Sequence, residues 1–220
     1  MRKEIIITKD GAHSLYIKDI NETYHSIHGA ISEAMHVFIK NGLNHHTLNN
    51  LNILEVGFGT GLNTLLTIQQ NNKEYIHYTT IEPFPISEEI YSKLNFYNLI
   101  NYNKYSFIYL HKSEWEKNIK LSKNFTLQKL KCNLQDFKLK KKFDIIYFDA
   151  FAPEKQPEMW TKDVFKKCYK ILDSNGFLVT YCAKGVVKRT LKYVGFEIEN
   201  LKGPPGKREM IRANKTTFQK

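Results

Sequence analysis

An apolar run is followed by three alternating glycines in Leu51-Asn-Ile-Leu-Glu-Val-Gly57-Phe-Gly59-Thr-Gly61-Leu-Asn63. The apolar run predicts a buried strand, and the glycines predict a tight turn that opens a helix. Such a turn presents backbone N–H groups and the positive end of the helix to a ligand. A strand, a glycine turn and a helix in this order begin the βαβ unit of an α/β protein.

The same alternation continues along the chain. Short β-rich runs are separated by stretches long enough for helices, and a hairpin is predicted around Gly203-Pro-Pro-Gly206. The predicted strands are 51–56, 75–81, 125–130, 143–148, 176–182, 196–201 and 209–213, and the predicted helices are 62–70, 87–96, 162–172 and 184–194. This pattern predicts an α/β fold with a doubly wound, mostly parallel sheet and an antiparallel hairpin at its C-terminal edge.

The first fifty residues follow a different pattern. They contain a predicted strand pair, Ile5–Lys9 and Ser14–Ile17, and then a helix near Ile31–Lys40. We interpret residues 1–50 as an elaboration that packs over the ligand-binding end of the sheet, and residues 51–220 as the main domain, in one structural unit. A length of 220 residues leaves no room for a second full enzyme.

Charge and composition indicate which kinds of partner the protein can bind. The net charge of +11 is lopsided, because residues 1–110 carry −2 and residues 111–220 carry +13, as expected for binding a polyanion such as RNA. No apolar run approaches a membrane span, and the polar N-terminus does not suit a signal peptide, so we expect a cytoplasmic protein without membrane contact. The three cysteines lack metal-binding spacing, so no metal is expected.

The glycine spacing indicates which ligand the turn binds. Gly57, Gly59 and Gly61 depart from the Gly-x-Gly-x-x-Gly pattern of dinucleotide sites, and Glu55 suits an amine-bearing group better than a diphosphate. This pattern resembles the first motif of class I S-adenosylmethionine-dependent methyltransferases. Glu82 ends the next strand, where the fold places a carboxylate against ribose hydroxyls. After the following strand, either Asn133 or Asp136 could meet the adenine edge.

Asp149 is the candidate for chemistry. Apolar or aromatic residues occupy five of the six positions 143–148 before this carboxylate, and an Ala-Pro turn then ends the strand. A carboxylate at the carboxyl end of a central parallel strand lies where open α/β sheets bind their ligands. The alternative is that Asp149 only caps the following loop.

Several separated motifs together resemble the MnmC/MnmD family, the methyltransferases that finish 5-methylaminomethyl-2-thiouridine at the tRNA wobble position. The matching stretches are Tyr24-His-Ser26, Gly29-Ala30, Glu33-x-x-His-Val-Phe38, Gly57–Asn63, Glu82-x-Phe-Pro85, Asp149–Trp160 and Gly206-Lys-Arg-Glu-Met210. Three departures are Ala150 where glycine is common, Gln156 for asparagine, and Asn133 where an acidic residue is expected.

The resemblance implies a tRNA methyltransferase with S-adenosyl-L-methionine as cofactor and a class I, Rossmann-like fold. It implies methyl transfer to the amine of 5-aminomethyl-2-thiouridine, with Asp149 as the catalytic residue that orients the amine. The expected cofactor-binding residues are Glu55, Gly57, Phe58, Gly59, Gly61, Asn63, Glu82 and Asn133. The expected substrate and RNA contacts are Tyr24, Glu33, Phe151, Trp160, Lys207 and Arg208.

Two expectations concern partners. The anticodon region of tRNA is the expected macromolecular substrate, with a separate enzyme supplying the aminomethyl-uridine. No FAD is expected, because the chain ends ten residues after Met210, before the oxidase part found fused in some family members. The alternatives are a class I methyltransferase that acts on another RNA position or on a small-molecule amine, and a noncatalytic RNA-binding protein with a Rossmann-like core.

Overall fold

The computed structural model describes residues 2–138 and 141–216, in which a central eight-stranded sheet organises the chain. In spatial order its strands are β10 (Glu197–Lys202), β11 (Glu209–Asn214), β9 (Leu172–Thr180), β8 (Phe143–Phe148), β4 (Asn50–Val56), β5 (Tyr75–Ile81), β7 (Phe125–Leu130) and β6 (Asn118–Ser122). The five strands from β9 to β7 run parallel, and the outer pairs are antiparallel. The predicted α/β class and the antiparallel C-terminal hairpin are therefore confirmed.

Helices cover both faces of this sheet, and a small antiparallel sheet precedes it. The small sheet consists of β1 (Lys3–Ile7), β2 (His13–Ile17) and β3 (Glu22–Thr23). The helices are α1 (Ala30–Ala34, continued by a π-helical turn over Met35–Lys40), α2 (Leu62–Gln69), α3 (Glu88–Tyr91), α4 (Phe96–Leu99), α5 (Lys104–Lys112), α6 (Lys162–Ile171) and α7 (Gly185–Val194). No helix in the described ranges is long and apolar enough to cross a membrane.

Strand alternation divides the core into two layers. Tyr147 faces the layer that α2 and the segment around Phe38 cover, whereas Phe148 faces the layer that contains α6 and α7. The ring centroid of Phe148 lies 5.4 Å from that of Phe165 on α6. Both faces of the parallel strands are thus buried, as their continuous apolar sequences require.

The structure corrects several predicted elements. The helix expected over 87–96 covers only Glu88–Tyr91, and a second short helix begins at Phe96. Between them, the Asn95 side chain accepts a hydrogen bond from His13 N at 2.8 Å and donates one to Gly11 O at 2.9 Å. These two hydrogen bonds connect Asn95, between α3 and α4, to the turn between β1 and β2. The strand expected to begin at Gly176 begins at Leu172, and its pairing with β8 shifts register between Phe143 and Ile145. The sequence analysis did not predict α5 or β6.

Asp10 joins the small sheet to α1. Its Oδ2 accepts hydrogen bonds from Ser32 N at 2.9 Å and Ser32 Oγ at 3.1 Å, and its Oδ1 accepts one from Thr8 Oγ1 at 2.6 Å. Gly29, the residue before the helix, provides no side-chain cap. Asp10 therefore caps α1 from a distance and positions the helix that carries Glu33.

We predict that Asp10→Ala lowers the free energy of unfolding by about 1–2 kcal/mol at neutral pH, because the cap is lost. Burial alone would raise the pKa of Asp10, but hydrogen bonds from Thr8 and Ser32 hold it below its usual value. The stabilisation is therefore present above the unfolded pKa of about 3.9 and is lost as the pH falls through the folded value. Urea unfolding of both proteins at decreasing pH should show the gap narrowing; a gap that stays constant to about pH 3 would contradict this assignment.

Candidate active site

A cavity of about 1010 Å³ lies at the carboxyl ends of β4, β5 and β8. In the sheet, β5 and β7 lie on one side of β4, toward one edge. The next strands in the chain, β8 and β9, lie on the opposite side of β4, toward the other edge. Ligands of open α/β sheets bind where the strand order reverses in this way. The N-terminal segment that contains Tyr24 and His25 forms the opposite wall of the cavity.

The glycine turn after β4 forms the floor of the cavity. Gly57 has a φ of +94° and Gly59 a φ of +49°, in the left-handed region that side chains rarely adopt. A Cβ on Gly57 would lie 2.9 Å from the Asp149 carbonyl oxygen, and one on Gly59 would lie 3.2 Å from the Tyr24 ring. Gly61, with a φ of +74°, precedes α2. Gly57 and Gly59 therefore form a glycine cradle in the cavity lining, where a side chain at either position would crowd Asp149 or Tyr24.

Glu82 holds the turn from the end of β5. Its Oε2 accepts a hydrogen bond from Gly59 N at 3.0 Å, and its Oε1 accepts one from Phe84 N at 2.9 Å. Glu82 lines the cavity together with Asn133, whose Nδ2 donates to Asp136 Oδ2 at 3.2 Å. Of the two residues considered for the adenine edge, Asn133 therefore faces the cavity and Asp136 supports it from behind.

Asp149 follows β8 and faces the same cavity from beside the glycine turn. Asn63, in the first turn of α2, donates a hydrogen bond from Nδ2 to Asp149 Oδ2 at 2.8 Å. Burial raises the pKa of Asp149 to about 7, against the opposing effect of the Asn63 hydrogen bond; Glu33 raises it further and Lys207 lowers it. A carboxyl group with this pKa can accept and release a proton near neutral pH.

Glu33 and Lys207 form an ion pair in the cavity near Asp149. The two side chains are 12% and 31% exposed, respectively. The Lys207 ammonium also lies 3.9 Å from the centroid of the Tyr181 ring. Lys207, expected as a phosphate contact, is thus directed into the cavity, whereas its neighbour Arg208 is exposed and is not among the lining residues.

Aromatic residues cover the cavity. Tyr24 and Phe151 meet edge to face with ring centroids 5.2 Å apart, and both line the cavity. Phe58 also lines it, but its ring is buried against His111. His25 Nε2 lies 2.6 Å from Thr60 Oγ1, and this hydrogen bond joins the N-terminal segment to the glycine turn.

Four expected site residues do not line the cavity: Arg208, Gly61, at which a Cβ would face His111 and Phe58, and also Glu55 and Trp160. Glu55 is fully buried beneath α2, where its Oε2 accepts a hydrogen bond from Thr64 Oγ1 at 3.0 Å, and burial raises its pKa to about 8. Trp160 packs in the apolar layer with its ring centroid 5.1 Å from that of Phe148, and its Nε1 donates to Phe151 O at 2.8 Å. Neither lines the cavity, because strand alternation turns Glu55 toward α2 and the turn at 157–160 folds Trp160 inward.

The sequence analysis missed Tyr181. This residue directly follows β9, and its hydroxyl donates to Ala150 O at 2.9 Å, so that its ring is fixed beside the loop after Asp149. The rule that pointed to Asp149, a polar residue at the carboxyl end of a parallel strand, could have identified it. The described residues contain no group of three or more side chains arranged to hold a metal ion.

A doubly wound sheet, a left-handed glycine turn and an acidic residue ending the neighbouring strand together define a Rossmann-like enzyme of the class I methyltransferase type. Residues 102–216 match the family model described as S-adenosyl-L-methionine-dependent methyltransferase, which covers just over half of the chain. The chain therefore belongs to this family, and its cofactor is S-adenosyl-L-methionine.

Individual relatives agree with this assignment. The chain is 30% identical over 214 residues to the tRNA 5-methylaminomethyl-2-thiouridine biosynthesis bifunctional protein MnmC of Leptospira interrogans, covering 88% of this chain and 32% of that protein. It is 33% identical over 176 residues to the protein of the same name from Campylobacter hominis, covering 76% and 26%. The chain thus spans about a third of the length of these relatives or less.

A solved structure shows the same fold. The crystal structure of MNMC2 from Aquifex aeolicus matches with a TM-score of 0.77 at 24% identity, covering 96% of this chain and 69% of that chain. At this level of identity the similarity establishes the architecture of the chain.

We predict that Gly59→Val abolishes detectable S-adenosylmethionine binding by calorimetry, because its side chain would fill the cradle and strain the turn. Gly11→Val is the matched control, since Gly11 also has a positive φ, +80°, but has no atom within 4 Å of a Cβ and does not line the cavity. The control should bind normally. Wild-type affinity in a folded Gly59→Val protein would contradict the assignment of the cavity.

Proposed function

We propose that this chain transfers a methyl group from S-adenosyl-L-methionine to the primary amine of 5-aminomethyl-2-thiouridine at the tRNA wobble position. The product is 5-methylaminomethyl-2-thiouridine. The observation that carries the proposal is the position of Asp149, a carboxyl group oriented by Asn63 beside the glycine turn. The names of the MnmC relatives support the identity of the substrate.

The residues of the cavity fit the cofactor. The glycine cradle accepts close approach of a ligand, Glu82 offers carboxylate oxygens to the ribose hydroxyls, and Asn133 lies near the expected adenine edge. Within the described part of the chain, the buried Asn63 Oδ1 has no hydrogen-bond partner, so it can accept one from the ligand's amino group. Bound S-adenosylmethionine supplies an electrophilic methyl group on a sulfonium, and the C–S bonding electrons return to sulfur as the new N–C bond forms.

Asp149 acts on the amine. In our proposal it accepts a hydrogen bond from the nitrogen, directs the lone pair toward the methyl carbon and takes the proton that the nitrogen loses on methylation. Orientation contributes part of the ~7–11 kcal/mol that proximity can supply, and proton acceptance adds about 10²–10⁴-fold. With a pKa raised to about 7 by burial, Asp149 is a stronger base than an exposed aspartate.

The tRNA assignment depends on a second set of features. The half of the chain from residue 111 carries a net charge of +13, which suits a phosphate backbone. A wobble base must leave the anticodon stack to reach the cavity, and Tyr24 and Phe151 provide aromatic surfaces at its wall. Arg208 is exposed next to the cavity-lining Lys207 in the chain, and it suits a phosphate contact.

The proposal extends to organisation and partners. Residues 1–50 serve as a cover over the cofactor end of the domain formed by residues 51–220, since Tyr24 lies against Gly59 and His25 bonds to Thr60. A separate enzyme activity supplies the aminomethyl-uridine that this chain methylates. A cytoplasmic location accords with a tRNA substrate.

Mass spectrometry of tRNA nucleosides tests this function. The protein and S-adenosylmethionine are incubated with tRNA that contains 5-aminomethyl-2-thiouridine, and the digest is searched for the methylated nucleoside. The proposal requires its formation, together with a loss of rate above ~200 mM salt. Methylation of another nucleoside, or of small amines alone without salt dependence, would overturn the assigned substrate.

We predict that Asp149→Ala reduces kcat by about 100-fold or more while cofactor and tRNA affinities change only a few-fold, because orientation and proton acceptance act mainly in the transition state. Asp149→Asn should retain part of the rate through its acceptor oxygen. Asp163→Ala, which removes an exposed carboxylate on α6, is the control and should match wild type. Single-turnover rates of Asp149→Ala equal to wild type would assign the role to another carboxylate, with Glu33 and Glu154 the next to test.

A further inference from the structure

Four separate elements bring ionisable side chains to one end of the cavity. Glu33 comes from α1, Asp149 from the end of β8, Tyr181 from the end of β9, and Lys207 from the loop before β11. Glu33 and Lys207 are 174 residues apart in the chain, yet they form a direct ion pair. The residues proposed above to hold the cofactor do not include Glu33, Tyr181 or Lys207, so we assign these three side chains to the substrate.

The backbone around Lys207 holds its side chain in this position. Lys207 N donates to Pro204 O at 2.9 Å, and Gly203 N donates to Arg208 O at 3.1 Å, which closes the loop. Gly206 has a φ of +82° and packs so closely against His28 that a Cβ there would clash with the imidazole ring. The ammonium group is then held between the Glu33 carboxylate and the face of the Tyr181 ring.

Two carboxylates near a primary amine create a chemical difficulty. A free alkylamine is mostly protonated at neutral pH, and an ammonium has no lone pair with which to attack a methyl group. Nearby negative charges favour the protonated form, so Glu33 and Asp149 together would raise the pKa of the substrate amine. A cation in the same cluster has the opposite effect.

We propose that the Glu33–Lys207 ion pair sets the protonation of the substrate's primary amine: Lys207 cancels the charge of Glu33, so that the amine meets only one uncompensated carboxylate, Asp149. This inference rests on the proposed function for the identity of the amine. Glu33 and Lys207 are positioning residues, which act through the field they create at Asp149 and the nitrogen. Tyr181 holds the ammonium of Lys207 by its ring face and fixes the loop after Asp149 by its hydroxyl.

Other charges face this end of the cavity but are paired or more distant. Lys184, which follows β9, is paired with Glu154, and Lys155 donates to Ile20 O at 2.8 Å. Glu22 on β3 and the Cys182 thiol lie within electrostatic range of Tyr181. Burial keeps the pKa of Tyr181 well above its usual value, so this phenol stays neutral. Glu55, buried beneath α2, also interacts electrostatically with Asp149, but burial raises its pKa to about 8, so it is mostly neutral at pH 7. Within residues 2–138 and 141–216, Glu33 and Lys207 are the charged side chains that shift the pKa of Asp149.

Glu33 and Lys207 carry opposite charges, so replacing each one should shift the pKa of Asp149 in opposite directions. If the ion pair only held the loop in place, opposite shifts would not be expected. We predict that Lys207→Met raises the pKa of Asp149 in the free protein and that Glu33→Gln lowers it, each by roughly one unit, as is common for a single nearby charge. The Glu33→Gln/Lys207→Met double variant should lie between the two. Titration of ¹³C-aspartate-labelled protein by NMR, with Asp149→Asn to assign the signal, measures these values without cofactor or tRNA.

The same variants should move the acid limb of the kcat–pH profile, which reports groups in the enzyme–substrate complex. The limb should shift to higher pH in Lys207→Met and to lower pH in Glu33→Gln. Lys188→Met is the control, because it breaks an ion pair outside the cavity, between Lys188 on α7 and Glu209 at the start of β11, and should leave the pKa of Asp149 unchanged.

The outcomes distinguish this inference from the proposed function. If both single variants shift the pKa of Asp149 in the same direction, or neither shifts it, the ion pair only holds the loop and the inference is overturned, even if tRNA is methylated. If the shifts are opposite but tRNA is not methylated, the charge assignment at Asp149 stands and the proposed substrate is wrong.

Discussion

The close approach of the Gly57 and Asp149 backbones is the constraint on which the site depends. Asp149 N donates to Val56 O at 3.1 Å, and a Cβ on Gly57 would lie only 2.9 Å from Asp149 O. The neighbouring strand ends are joined in the same way, since Gly57 N donates to Ile81 O and Glu82 N donates to Leu130 O. The residue after each of these strands is thereby fixed against the next strand, and the glycine turn, Glu82 and Asp149 face one cavity.

This arrangement gives the cavity two ends with different chemistry. One end has backbone donors, the Glu82 carboxylate and the Asn133 amide, which suit the hydroxyls and base of a nucleoside. The other end has Asp149 with the Glu33–Lys207 pair, which suits a nucleophile that must lose a proton. Asn63 joins them, because it begins the helix after the glycine turn and donates to Asp149. A small shift of the glycine turn would therefore also move the hydrogen bond that Asn63 donates to Asp149.

Local patterns predicted the sheet, the glycine turn and the strand-end carboxylates, because each depends on a strand and the residues that immediately follow it. Expectations for other residues did not fit the structure for physical reasons. Glu55 alternates toward α2, and Trp160 is folded into the apolar layer by a turn that its sequence does not reveal. The pairing of Lys207 with Glu33 joins residues 174 positions apart, which no local spacing encodes. The α5 and β6 segments were missed because polar residues interrupt their apolar patterns.

A crystal structure of the complex with S-adenosylhomocysteine would show how the cofactor lies in this cavity, because this product retains the ribose, the base and the sulfur atom. We expect the ribose hydroxyls to contact Glu82, the amino-acid part to lie on the glycine turn, and the sulfur to face Asp149 across a space open to Glu33 and Lys207. A complex in which the sulfur points away from Asp149, or in which the ligand binds outside this cavity, would contradict this arrangement.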